Sequence, residues 1–149
     1  MKKNGFSLIE LMTVIIIIGI MAGLTVPGIM KNIPHRKQKD ARSQLFGELH
    51  LIRQMAMGKD VFYCLDVISS TQYRVFVDNS LSPNGLYDGG ETILRTVQLP
   101  SGITFSNTTF SVGFRPTGVL INNTINALAI QNTVGSRDTI YIMQSGSIF

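Results

Sequence analysis

The apolar residues follow two different rhythms along the chain, and over one stretch they follow none. No charged residue occurs in residues 11–30, and the centre of that run reads Val14-Ile15-Ile16-Ile17-Ile18. Twenty residues at about 1.5 Å each would span roughly 30 Å, the thickness of a bilayer's hydrocarbon core. With no 3.6-residue amphipathic rhythm, the predicted helix is apolar on every side, which suits lipid or the interior of a helix assembly. A buried core helix is the rival, but a domain this small cannot enclose one of that length. From residue 31 to residue 60 the pattern turns amphipathic. Ala41, Leu45, Leu49, Ile52 and Ala56 recur at four, four, three and four, which is one helical face. Gly58 is its expected stop, and Pro34 and Gly47 predict a kink or a break.

From Val61 onward the period becomes two. Tyr73, Val75 and Val77 alternate with Arg74 and Phe76; Ile93, Val97 and Leu99 alternate with Leu94, Thr96 and Gln98. Phe110, Val112 and Phe114 form a third such run, with Ile140 and Ile142 near the end. Turn residues separate them at Ser82-Pro83-Asn84-Gly85, Asp88-Gly89-Gly90, Pro100-Ser101-Gly102 and Pro116-Thr117-Gly118. The predicted fold is α+β: a long N-terminal helix, apolar then amphipathic, packed on a C-terminal antiparallel β domain.

Composition narrows the function. The 149 residues suit one modest core, and 44% apolar against 15% charged residues excludes a disordered chain. One Cys rules out an intramolecular disulfide and any multi-cysteine metal site. The net charge of +4 is unevenly placed: residues 31–60 hold seven Lys or Arg against three acids, and residues 61–149 hold four against five. Anionic lipid, neighbouring subunits or nucleic acid would each fit such an excess.

Glu10 is the anomaly, an acid inside an apolar segment that starts at Phe6. A charge deep in a membrane helix costs on the order of 2.5–3.5 kcal/mol and calls for a partner; near the interface it can instead reach the headgroups. The leader Met1-Lys2-Lys3-Asn4-Gly5 has the basic start of a secretory signal, yet no small-residue cleavage site follows the apolar run. The small residue, Gly5, precedes it.

Gly5-Phe6-Ser7-Leu8-Ile9-Glu10, after a basic leader and before an apolar helix, closely resembles the class III signal of type IV pilins and type II secretion pseudopilins. The resemblance implies a prepilin leader at 1–5, a transmembrane and assembly helix at 6–30, and a periplasmic pilin-like globular domain at 31–149. It implies cleavage after Gly5 by prepilin peptidase and N-methylation of Phe6. Glu10 would pair with the freed ammonium of Phe6 on a neighbouring subunit and so favour one axial register. Pro27 matches the position at which helices of the family bend. Lysines flank the apolar run on both sides, so the cytoplasmic placement of the N-terminus rests on the resemblance rather than on charge counting. Further along, Val75-Phe76-Val77-Asp78, Asp88-Gly89-Gly90-Glu91, Ile93-Leu94-Arg95 and Phe114-Arg115-Pro116-Thr117-Gly118, with a strand pair ending near Ser145-Gly146, resemble the minor pseudopilins of the GspH/FimT family. The implied protein is a single-pass inner-membrane precursor that joins other pilins or pseudopilins in or near the tip of a filament.

Other chemistries find little support. His35 and His50 lie too far apart for a helical metal pair, and Cys64 lacks a nearby His and reads as a small core residue. No catalytic motif is recognisable, so neither an enzyme nor a cofactor is expected. Asp78, Asn79, Asn84, Asp88 and Glu91 could gather around calcium, but their spacing is not that of an EF-hand, and turns favour the same residues. Asn107-Thr108-Thr109 and Asn122-Asn123-Thr124 fit the glycosylation pattern and read as polar turns. A DNA-binding minor pilin for natural transformation is the alternative function. Some FimT-type members carry a basic Gly-Arg-x-Arg ending, whereas the corresponding residues here are Gly146-Ser147-Ile148-Phe149, which disfavours nucleic acid as a partner.

Overall fold

The computed structural model describes residues 6–122 and 126–149, with the side chains of residues 24–31 outside the description. The backbone forms two compact units, Met1–Ile33 and Pro34–Phe149. Helix α1 runs Leu8–Lys59, and it passes Pro34 and Gly47 without the break that those residues predict. Pro34 lacks a donor and Gly47 a side chain, but neighbouring turns hold the ladder. Nothing stands within 4 Å of a Cβ added at Gly47. Gly47→Ala is therefore expected to stabilise the globular unit by about 0.5–1 kcal/mol, measured as a rise in its thermal midpoint.

Among its described residues the second unit contains seven strands: β1 Phe62–Ser69, β2 Gln72–Asp78, β3 Thr92–Gln98, β4 Ile103–Phe105, β5 Ser111–Phe114, β6 Asn126–Asn132 and β7 Arg137–Ile142. They make two antiparallel sheets, in the orders β3-β2-β1-β5 and β4-β6-β7. One face of the larger sheet carries Tyr63, Leu65, Val67, Tyr73, Val75, Val112 and Phe114. These join Leu128, Ile130, Ile140 and Ile142 of the smaller sheet around the helix face Ala41, Leu45, Leu49, Ile52 and Ala56. All five helix residues are fully buried, as their spacing predicts.

The alternation rule fails at Phe76. It belongs to the outer face with Arg74, yet it is as buried as Tyr73 and Val75. Phe76, Cys64 and Ile121 form a second small core, flanked by Phe62 and Tyr87, because the loop after β2 folds back over that face. Gly113 pairs with Cys64 across β1 and β5. A Cβ there would lie 2.4 Å from Ile121 Cδ1 and 2.7 Å from Cys64 Sγ, so the second core closes only over a glycine. At the sheet's other edge, β3 departs from expectation in the opposite sense: Ile93 and Leu94 are 45% and 44% exposed. The pairing of β2 with β3 shifts at Val75/Phe76 and leaves Leu94 out of register, a bulge of the kind that blunts sheet edges.

Candidate functional site

The described part of the first unit is mainly a helix whose described apolar side chains are not buried. Every described side chain of residues 6–23 is exposed, with Phe6 at 79%. Phe6, Leu11, Val14 and Ile15 line an open apolar concavity of about 410 Å³. The Ser7 carbonyl accepts the amides of Glu10 (3.1 Å) and Leu11 (3.2 Å), and Thr13 Oγ1 donates to the Ile9 carbonyl at 2.8 Å. Ser7 thus stands at the N-cap of α1 and Glu10 in its first turn, the spacing of a capping box. An acid in the first turn faces the partial positive charge of the helix N-terminus, so Glu10 suits the start of this helix as well as it suits a charged partner. That capping spacing is a sequence signal that the apolar pattern obscures.

Gly5 lies outside the described residues. Pro27 is within the helical backbone, but its side chain is among those not described. Among the described residues, no helix is long and apolar enough to cross a membrane. The described side chains of the apolar run end at Gly23, before the Met30 at which the expected span closes.

In the globular unit the candidate calcium loop spends its carboxylates on itself. Asp78, 1% exposed, accepts Ser80 N–H (3.2 Å) and Ser80 Oγ–H (2.6 Å) at Oδ1, and Asn84 N–H and Gly85 N–H (both 3.0 Å) at Oδ2. Burial raises its pKa, and these four bonds outweigh burial, leaving the carboxyl below the ordinary Asp range. Glu91 Oε2 accepts the amides of Asp88, Gly89 and Gly90 at 2.9–3.0 Å. Those bonds outweigh its slight desolvation and lower its pKa too. Asp88 accepts from the Asn84 side chain at 3.0 Å. No group of three or more His, Cys, Asp or Glu fit to hold a metal occurs among the described residues.

The loop is also pinned to the sheet's outer face. Arg74 makes a two-pronged ion pair with Asp66 (2.7 and 2.6 Å) and lies 3.6 Å from the centroid of Tyr87, whose ring meets Phe76 edge-on. Cys64 beneath it is buried. Burial, with Asp78 and Asp66 adding to it, pushes its thiol far above the usual range, which keeps it protonated and inert as a nucleophile. His50 packs edge-on against Phe46, with centroids 4.6 Å apart.

Two motifs that are distant in sequence meet in space. Gly118 ends one tight turn and Gly146 another, both with φ of +79°. Arg53 of α1 donates Nε–H to the Gly118 carbonyl at 2.9 Å. Arg115 donates to the carbonyls of Leu120 (3.3 Å) and Ile121 (3.0 Å). The arginine and glycines of these motifs therefore hold backbone turns together, and they present no reactive group.

Residues 1–26 match the family model described as the prokaryotic N-terminal methylation motif. No curated relative matches the chain. Among solved structures, the fold is similar to the type IV minor pilin FimU of Pseudomonas aeruginosa (TM-score 0.59, 16% identity, 77% of this chain and 88% of that one). A second crystal form of FimU gives a TM-score of 0.56 at 16% identity, over 74% and 90% of the two chains. The minor pseudopilin EpsH of the type II secretion system of Vibrio cholerae gives 0.54 at 12% identity, over 75% and 93%. At these identities the likeness is one of fold, which is pilin-like α+β.

Proposed function

We propose that the chain is a non-enzymatic minor pilin or pseudopilin. It is made as a precursor, anchored in the bacterial inner membrane by residues 6–30, and carries its globular domain in the periplasm. Prepilin peptidase cuts after Gly5, Phe6 is methylated, and Glu10 pairs with the Phe6 ammonium of the next subunit as the helices leave lipid and pack. A charge removed from water without a partner is expensive, so this pairing selects one register. Pro27 bends the packed helix. Within the family the reading favours the GspH/FimT type, placed in or near the tip of a type IV pilus or a type II secretion pseudopilus.

The observation that carries this reading is the contrast between the two units. The globular unit closes its own core, while the described apolar side chains of residues 6–23, inside the methylation motif, are all exposed. Such a helix needs lipid first and other helices afterwards. The likeness to FimU and EpsH supports the same reading through fold.

Two substitutions test it in cells. Gly5→Gln is expected to leave the precursor uncut, so that the mature mass, shortened by residues 1–5 and carrying one methyl group, disappears. Glu10→Ala is expected to be cut normally yet recovered in filaments at least tenfold less than wild type. Normal cutting of Gly5→Gln would sink the pilin reading, and normal assembly of Glu10→Ala would remove the register role.

A further inference from the structure

Apart from Lys59, exposed at the last turn of α1, the cations of the globular unit fall into two groups. Beyond residue 40 each arginine is committed to the fold: Arg42 to Asp138 (3.2 Å), Arg53 to the Gly118 carbonyl, Arg74 to Asp66, Arg95 to Glu48, Arg115 to the Leu120 and Ile121 carbonyls, and Arg137 to Gln131 (3.5 Å). Arg36 and Lys39 are different. Both are exposed, and among the described residues neither side chain makes a hydrogen bond or an ion pair. They lie three apart, hence on one side of α1. Lys37 nearby donates to the carbonyl (3.2 Å) and hydroxyl (3.0 Å) of Ser101, neutral partners that leave its charge unopposed. Residues 31–42 hold five Lys or Arg, against Asp40 on the same helix and Asp138 facing Arg42.

We propose that Arg36 and Lys39, with Lys37 behind them, form a docking surface for the anionic phospholipid headgroups of the leaflet next to the globular unit. The proposal rests on the anchoring reading above. In sequence, Arg36 follows Met30, the end of the apolar run, by six positions, and Lys39 follows it by nine. Residues that follow a membrane span this closely in sequence are held near its headgroups, which occupy roughly 5–7 Å beyond the hydrocarbon, and extended Arg and Lys side chains add to that reach. Charge at this distance from a bilayer complements anionic lipid, at about fivefold in partition per cation. A nucleic-acid partner would want the free cations spread over the globular surface, where instead the arginines are spent.

The full chain is reconstituted in phosphatidylcholine vesicles with trace spin-labelled phosphatidylglycerol or spin-labelled phosphatidylcholine. The motionally restricted fraction of each label is read by electron spin resonance. Wild type is expected to restrict the anionic label at least fivefold more strongly. The preference should vanish in Arg36→Gln/Lys39→Gln and at about 1 M salt, where the screening length falls to about 3 Å. It should persist in Lys59→Gln, at the far end of α1. Equal restriction of both labels by wild type would overturn the proposal and leave the anchoring reading intact. Restriction of neither label would overturn anchoring as well. A preference that survives the double substitution would overturn the residue assignment. Capture of a duplex oligonucleotide by the chain in neutral vesicles, released by the same substitutions and without lipid preference, would replace lipid with nucleic acid.

Discussion

Gly146→Ala is expected to destabilise the globular unit by about 3–5 kcal/mol, lowering its thermal midpoint by on the order of 10 °C or more. Two costs combine. Gly146 sits at φ +79°, where an L side chain costs roughly 1–2 kcal/mol. A Cβ there would also lie 1.9 Å from the Gly118 carbonyl oxygen and 2.9 Å from Arg53 Nε. The first of these atoms is backbone, so the Gly118 turn must move, and the Arg53 hydrogen bond to that same carbonyl moves with it. Arg53→Ala alone, losing one bond, should cost about 1–1.5 kcal/mol. Gly90→Ala has nothing within 4 Å of the new Cβ and should be near neutral. The near-ultraviolet signal of the buried Tyr63 and Tyr73 reports the transition without interference from the N-terminal helix. A loss at Gly146 no larger than that at Gly90 would show that the two turns do not support each other.

Asp78→Asn is expected to cost about 2–4 kcal/mol near neutral pH, although it changes shape very little. All four groups around the Asp78 carboxylate are donors, two on each oxygen. With its NH₂ toward Asn84 and Gly85 the amide meets two N–H donors and two bonds are lost. Turned the other way, the Ser80 hydroxyl can rotate to accept but the buried Ser80 N–H goes unpaired, and in either case the charge that strengthened the remaining bonds is gone. The pH dependence has a definite sign. The folded pKa lies below the unfolded value near 3.8, so the carboxylate's contribution is complete above that value and is lost as pH falls through the folded pKa. Denaturant midpoints of wild type and Asp78→Asn should therefore be well separated at pH 6 and converge below about pH 4. A constant separation down to pH 3 would mean that the neck of the loop does not depend on the charge.

The helix face was legible because five apolar residues at helical spacing leave one solution, and Ala41, Leu45, Leu49, Ile52 and Ala56 are all buried. The inward faces of β2 and β5 were legible for the same reason at period two. Phe76 was not, since its cover comes from a loop whose own sequence reads as polar turn. The exposure of Ile93 and Leu94 was hidden too: strand pattern carries no mark of which strand becomes an edge. Arg53, Gly118 and Gly146 were separately visible as helix and turn residues, but the hydrogen bond from Arg53 spans 65 positions and has no local signature. Asp78 presented the same residue type and setting as a cation ligand. Whether such a carboxylate meets a metal or its own backbone is decided by how the loop closes, which no spacing rule states.

The placement of the core has a thermodynamic consequence. Among the described residues every buried side chain lies at or beyond Gln38, so the core uses none of the described apolar side chains of residues 6–23. If those residues are anchored in lipid as proposed above, the free energy of folding and the free energy of their transfer are close to additive. On that reading, helix-to-helix contacts can offset extraction from a bilayer with no draw on the stability of the folded body. Selection could then adjust how readily such a subunit leaves the membrane by altering those residues, without retuning the core.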